Sequence, residues 1–198
     1  VTVVRLVSGP DLPPDPADVA PALDQTVATT LADAVSFLYE GADPIQTGVA
    51  SGTIEPLRVA VVRGRVLDAA GTPLPGVRVT VADHPEYGYT LSRTDGGFDL
   101  AMNGARGNLV FQKDTYLTAQ RPIDPGWRSY QVLDPVRLVA LSGASTPVDL
   151  TGAADVQVAQ GEVTSDERGA RQATLLFQPG TTAELVLPDG SREAASAL

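Results

Sequence analysis

The side chains best suited to chemistry are one histidine and the acidic and phenolic groups beside it. His84 begins the string His-Pro-Glu-Tyr, which places an imidazole, a carboxylate and a phenol close together. Such groups could work as an acid–base pair. However, Pro85 fixes its own φ, so we expect a bend between strands in which Tyr87 packs as an aromatic anchor. A single histidine cannot build a multi-histidine metal site.

Carboxylates at turns form the second group that could bind a ligand. Four aspartates lie next to turn glycines, namely Asp68, Asp95, Asp166 and Asp189. Aspartate side chains commonly accept hydrogen bonds from the backbone of their own turn, and we expect that arrangement here. Calcium binding is the alternative, although no acidic spacing like that of an EF-hand loop occurs.

Composition excludes several classes of site. The chain has no cysteine, which rules out disulfides, thiolate zinc sites and cysteine nucleophiles. It also lacks a Gly-x-Ser-x-Gly elbow, a phosphate loop and a dinucleotide fingerprint. The net charge of −10 repels phosphate backbones, and no apolar stretch approaches the roughly 18–20 residues of a membrane helix. We therefore expect no catalytic residue, metal, cofactor, nucleic acid partner or membrane span.

Aromatic residues are the remaining candidates, and they point to binding surfaces. Trp127 and Tyr130 stand in the string Asp-Pro-Gly-Trp-Arg-Ser-Tyr. The pair could stack on sugars, but we favour a Trp127 that is buried against a neighbouring domain with its N–H bonded. By residue type, the candidate interface anchors are Phe37, Tyr39, Tyr87, Tyr116, Trp127 and Tyr130.

The scaffold that positions these side chains begins with residues 1–57, which are predicted to form an extended N-terminal segment, here called the strap, with one short helix. Residues 8–24 are rich in Pro and Asp and are predicted to be extended and non-helical. One short helix is predicted at about 26–39, because apolar residues recur there at helical spacing. The predicted apolar face consists of Val27, Leu31, Val35 and Leu38.

Residues 58–150 are predicted to form a β-sandwich, because short β-branched runs alternate with dense Gly and Pro turns. An Asp-Gly-Gly turn at 95–97 is expected to join a strand at Tyr87–Arg93 to a return strand at Phe98–Met102. Residues 148–150 could close an edge. A second small β segment is predicted over 151–198. The fold class is therefore all-β with one short helix.

Two motifs resemble a known sandwich. Gly64-Arg65-Val66 opens the first strand and Gly71-Thr72-Pro73-Leu74-Pro75-Gly76-Val77 forms the first corner, followed by Thr94-Asp95-Gly96-Gly97-Phe98. This series resembles the transthyretin-like, or carboxypeptidase-regulatory-like, β-sandwich. Such modules are appended to proteins of many kinds, so the resemblance implies a fold and no function.

A longer string gives a more specific resemblance. Residues 84–130 are similar to the transthyretin-related domain of teneurins and of bacterial RHS (YD-repeat) proteins. The string Phe37-Leu38-Tyr39 resembles part of the segment that precedes this domain in bacterial members. Residues 171–191 resemble the start of the fibronectin-like plug of those proteins. The resemblance covers roughly residues 24–192. It implies a bacterial protein that is secreted or on the cell surface, and no catalytic residue is carried over.

The implied function is structural. The chain would be a non-catalytic segment of an RHS- or teneurin-like secreted or toxin-delivery protein. It would pack against or cap the YD-repeat β-shell and the plug of the same parent polypeptide. The sequence begins at Val1, and we expect it to be a piece of a longer protein. An extracellular carbohydrate-binding or adhesion module is the alternative, and an accessory domain of a peptidase is a third possibility.

Overall fold

The computed structural model describes residues 12–152, 154–187 and 189–198. The chain divides into two compact units, with the boundary between Leu141 and Ser142. Within residues 12–141, the first unit contains eight strands: β1 (Val59–Leu67), β2 (Arg78–Val81), β3 (Thr90–Leu91), β4 (Gly97–Asn103), β5 (Gly107–Gln112), β6 (Ala119–Ile123), β7 (Ser129–Val132) and β8 (Val136–Arg137). Its helices are α1 (Pro16–Val19) and α2 (Leu31–Val35), with 3-10 turns at Ser36–Leu38 and Pro85–Tyr87.

The first unit is a sandwich of two sheets. One sheet has the order β4-β1-β7, with β8 also paired to β1, and the other has the order β3-β2-β5-β6. Strand β1 runs antiparallel to β4 and parallel to β7 and β8. The predicted all-β class with a short helix is confirmed.

The core between the sheets comes from alternation along the strands. Phe98, Leu100 and Met102 occupy every second position of β4, and each is almost fully buried. The ring of Phe98 meets that of Phe111 on β5 edge-to-face, with centroids 5.5 Å apart. This pair therefore joins the two sheets at the centre of the core.

The N-terminal segment, residues 12–57, covers the face of the β4-β1-β7 sheet that points away from the core between the sheets. All seven residues of β4 are buried, and alternate residues of a strand point to opposite faces. Both faces of this strand must therefore be covered. Apolar residues of the N-terminal segment belong to the same buried cluster as the sheet, namely Ala32, Val35, Leu38, Ile45 and Ile54.

The helix predicted at 26–39 is shorter than expected. It starts at Leu31 because Thr30 and Asp33 form a capping box, in which each side chain accepts a hydrogen bond from the other's backbone N–H at 3.2 Å. Val27, which the sequence places on the apolar face, is exposed. The rest of the predicted face is at least partly buried, with Val35 and Leu38 in the core.

The strap also contains a helical turn that the sequence does not predict. Residues 8–11 lie outside the described part of the chain. Within 12–24, α1 forms one turn whose N-cap is Asp15, which accepts from the N–H of Ala17 at 2.8 Å. Proline is compatible with the first helical position, because the N–H there has no partner within a helix. The prediction that residues 8–24 are non-helical is therefore wrong at Pro16–Val19.

The predicted hairpin around Asp95-Gly96-Gly97 is a crossing between the sheets. Gly96 has a φ of 78°, as expected for a tight turn. However, Thr90–Leu91 pairs with β2, whereas Gly97–Asn103 pairs with β1 in the other sheet. The strand predicted at Tyr87–Arg93 is also shorter than expected, because Tyr87 ends a 3-10 turn and the strand covers only Thr90–Leu91. The Asp-Gly-Gly string predicts that the chain reverses direction, but it does not predict which strands the flanking segments pair with.

The described residues of the second unit form three two-stranded pairs. Its strands are β9 (Gln157–Gln160), β10 (Thr164–Asp166), β11 (Gly169–Arg171), β12 (Thr174–Phe177), β13 (Ala183–Val186) and β14 (Arg192–Ala195). The pairs are β9 with β12, β10 with β11, and β13 with β14. Residues 148–150 pair with 196–198 through bonds of 3.0 Å, rather than closing an edge of the sandwich.

Candidate functional site

The His84 region forms the bend that the sequence predicts. Pro85 starts the 3-10 turn, and Tyr87 at its end is 7% exposed. The exposed His84 lies 2.8 Å from Glu86 through Nδ1 and Oε1, and this hydrogen bond is the main cause of a lowered Glu86 pKa. The pair therefore belongs to a surface turn whose aromatic residue packs inward.

The turn carboxylates bond their own turns. Asp68 accepts from the N–H of Thr72 at 2.8 Å, and Asp95 accepts from that of Gly97 at 2.8 Å. Asp189 accepts from the N–H of Ser191 at 2.9 Å. The side chain of Asp166 lies outside the described part. Among the described residues, no three His, Cys, Asp or Glu side chains gather where they could hold a metal.

The six aromatic candidates separate into two groups. Tyr87 lies in the core, and Phe37, Tyr39 and Tyr116 are half-buried and pack against it. Partial burial is also the main cause of the raised pKa of Tyr39. By contrast, Trp127 is 62% exposed and Tyr130 is 48% exposed. Only this last pair presents large aromatic surface to solvent.

Trp127 is held in place although its ring is exposed. Its indole N–H donates to the carbonyl oxygen of Gly104 at 3.0 Å, and the predicted N–H bond is therefore present. The guanidinium of Arg58 lies 5.7 Å from the ring centroid and pairs with Glu55 at 2.9 Å. Gly104 allows this approach, because a Cβ there would lie 2.9 Å from the indole ring. The result is a fixed aromatic surface beside a cation.

Tyr130 adjoins a buried charge cluster that the sequence does not reveal. Asp99 on β4 is almost fully buried, and its two oxygens each lie 2.7 Å from a guanidinium, one of Arg63 and one of Arg93. Arg63 also lies 4.8 Å from the centroid of the Tyr130 ring. Together with the exposed pair Arg65 and Asp95, 3.2 Å apart, these residues form what we call the Asp99 cluster.

A groove of about 740 Å³ lies over this cluster. Its apolar lining includes Leu23, Phe37, Tyr130 and Val132. Its charged lining comes from the Asp99 cluster and from Asp15. Leu23, Tyr130 and Val132 are exposed. The groove therefore offers apolar surface next to guanidinium groups. Strand β7, which supplies two of these side chains, is not predicted from the sequence, because the Pro-Gly-Trp string reads as a loop.

The second unit exposes apolar residues on both sides of its strands. Leu175 and Leu176 are consecutive in β12 and are each 61% exposed. Consecutive strand residues point to opposite faces, so both faces of this pair of strands carry exposed leucine. Leu185 and Val186 repeat the pattern in β13. Among the described residues of this unit, Val148 is the sole buried apolar side chain.

Comparison with known families shows what the sandwich is similar to. Residues 54–138 match the family model of the teneurin TTR-like domain. This range contains the eight strands described in the first unit. The sandwich is similar to the teneurin TTR-like domain. The resemblance inferred from residues 84–130 is confirmed at this level. In the part of the chain that the structure describes, no helix is long and apolar enough to span a membrane.

Individual relatives agree with the teneurin TTR-like assignment. The chain is 35% identical over 144 residues to Teneurin-3 of Mus musculus, covering 70% of this chain and 5% of that protein. It is 35% identical over 128 residues to Teneurin-1 of Gallus gallus, covering 62% of this chain and 5% of that protein. The chain thus spans about 5% of the length of these curated relatives.

Solved structures give only a distant likeness. Catechol 1,2-dioxygenase from Pseudomonas arvilla C-1 matches with a TM-score of 0.38 at 12% identity, over 50% of this chain and 57% of that one. The Bacillus anthracis TIE protein matches with a TM-score of 0.37 at 12% identity, over 70% of this chain and 31% of that one. At these values the likeness says nothing about function.

Proposed function

We propose that this chain is a non-catalytic structural and docking segment of an extracellular, teneurin-like protein. Its partners would be the YD-repeat β-shell and plug of the same parent polypeptide, which it packs against or caps. The sequence resemblance extends to bacterial RHS proteins, in which such a shell would enclose a toxin or other cargo. The match of residues 54–138 to the teneurin TTR-like domain supports the structural part of this proposal.

The observation that carries the docking role is the exposed apolar surface of the second unit. Leu175, Leu176, Leu185 and Val186 are all more than half exposed. A small unit with so little buried apolar surface gains little stability from its own packing. Covering these side chains would remove them from water at about 25 cal/mol per Å². Because both strand faces are apolar, we infer that the unit is enclosed by its partner on two sides.

The test is binding of the full 198-residue chain to a separately produced YD-repeat shell of the same parent polypeptide. The chain alone should bind a hydrophobic dye, and addition of the shell should displace that dye. Leu176→Asp should weaken shell binding at least tenfold, because it places a charge in the buried contact. Leu176 is exposed in the chain alone, so the substitution leaves the free fold intact.

The matched control is Leu117→Asp, which changes a similarly exposed leucine on the sandwich. This variant should bind the shell as the unmodified chain does. The docking role is wrong if the chain is a monodisperse monomer that binds neither dye nor shell. It is also wrong if the two aspartate variants weaken binding equally.

A carbohydrate-binding module is the second candidate, and the exposure of Trp127 favours it. The indole ring is open to solvent while its N–H is fixed on Gly104, which leaves a rigid face on which a sugar could stack. A glycan array probed with the full chain tests this function. Trp127→Ala should abolish any signal, whereas Leu57→Ala, which changes another exposed apolar residue, should not. An array with no Trp127-dependent signal excludes this candidate.

A further inference from the structure

Asn103 and Gly104 form a dipeptide that is prone to deamidation. An asparagine that precedes glycine loses its side-chain nitrogen more readily than other asparagines, because glycine has no Cβ to obstruct ring closure. The fold requires glycine at this position, since a Cβ on Gly104 would lie 2.8 Å from the backbone of Gly126 and 2.9 Å from the indole of Trp127. The packing of Trp127 therefore maintains a reactive dipeptide at the end of β4.

The side chain that would react is buried and bonded through both of its polar atoms. Asn103 is 6% exposed. Its Oδ1 accepts a hydrogen bond from the N–H of Glu55 at 2.8 Å, and its Nδ2 donates to the carbonyl oxygen of Thr53 at 2.8 Å. While these two bonds are in place, the amide is held against the N-terminal segment and water reaches little of it.

The attacking nitrogen is held by the same stretch of chain. The backbone N–H of Gly104 donates to the carbonyl oxygen of Arg58 at 2.7 Å. Residues 53–58, here called the 53–58 segment, therefore bind both partners of the reaction. Ring closure also needs a backbone conformation that an extended strand residue such as Asn103 does not have. While the 53–58 segment is docked, the two reacting groups are kept apart.

The 53–58 segment can open without unfolding of the sandwich. It contains no helix or strand residue, and Glu55, Pro56 and Leu57 are exposed, the last at 71%. Its one buried apolar side chain is that of Ile54, which is 8% exposed. Segments with few buried contacts open at a lower free energy than core strands do. A single local opening would release the side chain and the nitrogen together.

We propose that Asn103 is a deamidation site whose reaction is controlled by the 53–58 segment. When the segment opens, the Gly104 nitrogen bonds to Cγ of Asn103, the Cγ–Nδ2 bond breaks, and the proton of the Gly104 amide leaves with Nδ2 as ammonia. Water then opens the succinimide ring at either carbonyl carbon, which gives aspartate or isoaspartate. Each reaction adds one negative charge to the chain.

The product hinders the 53–58 segment from docking again. Aspartate in place of Asn103 has no N–H for the carbonyl oxygen of Thr53, and a carboxylate oxygen would face that carbonyl in a buried site. Burying a charge against an acceptor is unfavourable. Isoaspartate also lengthens the backbone at the end of β4, next to its pairing with Val59. The modification therefore makes a transient opening permanent.

Deamidation rates of the full 198-residue chain, followed by peptide mapping with mass spectrometry at mildly alkaline pH, test the proposal. In urea, Asn103 should react at least tenfold faster than Asn108, which precedes the bulky Leu109. In the folded chain, Asn103 should react at least tenfold slower than in urea. That folded rate should still exceed, at least tenfold, the rate in urea multiplied by the unfolded fraction, because local opening suffices.

Two substitutions within the 53–58 segment provide a matched comparison. Ile54→Ala removes the buried side chain of the segment and should speed deamidation of Asn103 at least tenfold, after correction for the unfolded fraction. Leu57→Ala changes an exposed side chain of the same segment and should alter the rate less than twofold. Equal effects of the two substitutions would overturn control by the segment.

The effect of the product is tested with Asn103→Asp. Hydrogen exchange of the Gly104 amide should be at least tenfold faster in this variant, because the segment that carries Arg58 docks less well. Unchanged exchange would overturn the proposal, as would a folded-state rate no greater than the unfolded fraction accounts for. If Asn103→Asp does not fold, the rates of the unmodified chain and of the two segment variants decide the question.

Discussion

The side-chain amide of Gln46 pairs with both backbone groups of Ala101. The N–H of Ala101 donates to Oε1 at 2.6 Å, and Nε2 donates to the Ala101 carbonyl oxygen at 2.9 Å. A third bond, of 2.7 Å, runs from Nε2 to the carbonyl oxygen of Tyr87. Gln46 is fully buried. One side chain therefore closes the edge of β4 as a neighbouring strand would, and it fastens the N-terminal segment to the sandwich.

Gln46→Ala should destabilise the first unit strongly. The substitution leaves the N–H of Ala101 buried without a partner, together with two carbonyl oxygens that lose a donor. Each buried group left unsatisfied costs about 1–3 kcal/mol, so we expect these three to lower the free energy of unfolding by at least about 3 kcal/mol. Urea denaturation followed by circular dichroism measures it. Gln112→Ala, at an exposed position of β5, should change stability by less than about 0.5 kcal/mol.

Gln46→Glu should be at least as harmful as the alanine substitution. A carboxylate replaces the amide donor with an oxygen that faces two carbonyl oxygens, and it carries a charge into a buried site. Stability equal to that of the unmodified chain would show that the amide pairing contributes nothing.

Asp99→Ala should also destabilise the sandwich. Arg93, whose side chain is 14% exposed, would lose its nearer carboxylate partner, at 2.7 Å, and keep only Asp95 at 3.8 Å. Breaking a buried pair by removing one partner costs about 3–5 kcal/mol, and chemical denaturation should show a loss of this order. The exposed pair of Arg192 and Glu184 is the control, because Glu184→Gln should cost about 1 kcal/mol or less. Equal effects of the two substitutions would contradict this account.

Gly88→Ala should disrupt the bridge between residues 47 and 89. Gly88 has a φ of 61°, and a Cβ there would overlap the carbonyl oxygen of Thr47 and the backbone of Gly48. Neither backbone group can move without breaking the paired bonds between Thr47 and Tyr89. We expect a loss of about 3 kcal/mol or more, from strain and from broken contacts.

Gly107→Ala provides the comparison for Gly88→Ala. The nearest atom to its Cβ would be Cγ1 of Val81 at 4.0 Å, which is ordinary contact. Thermal denaturation of the two variants should therefore differ clearly. Similar melting temperatures would show that the close approach at Gly88 is relieved by movement.

The start of α2 should depend on pH. The pKa of Asp33 is lowered from its ordinary value of 3.8, first by the hydrogen bond from the Thr30 hydroxyl and then by that from the Thr30 N–H. A group whose pKa is lower in the folded state adds stability above its unfolded pKa. That stability is complete above 3.8 and is lost as the pH falls through the folded pKa. Protonation of Asp33 at low pH should therefore fray this helix.

Carbon NMR of the Asp33 carboxyl group measures this effect. Its titration midpoint should lie below 3.8, and the Thr30 amide signal should shift with it. Thr30→Val removes the hydroxyl donor and should return the midpoint toward the ordinary value. A midpoint at or above 3.8 in the unmodified chain would contradict the capping box.

Local patterns in the sequence determined some of the sandwich strands and several turns. The alternation of Val77, Val79 and Val81 predicts a half-buried strand, and all three side chains are buried in the core. The β-branched run at Val59–Leu67 forms one strand. These features depend on side-chain periodicity and on the φ values that glycine and proline allow, and both are properties of short segments.

The partners of those segments were decided only by tertiary structure. No local sequence pattern predicts that Gln46 lies beside Ala101, or that Arg63 and Arg93 share the buried carboxylate of Asp99. The turn at Gly96 carries the chain into the other sheet, and Trp127 is exposed rather than covered within this chain. Such contacts join residues far apart in the chain, and their energies depend on burial and on the low dielectric of the interior. Burial and the low dielectric arise only once the sheets have packed.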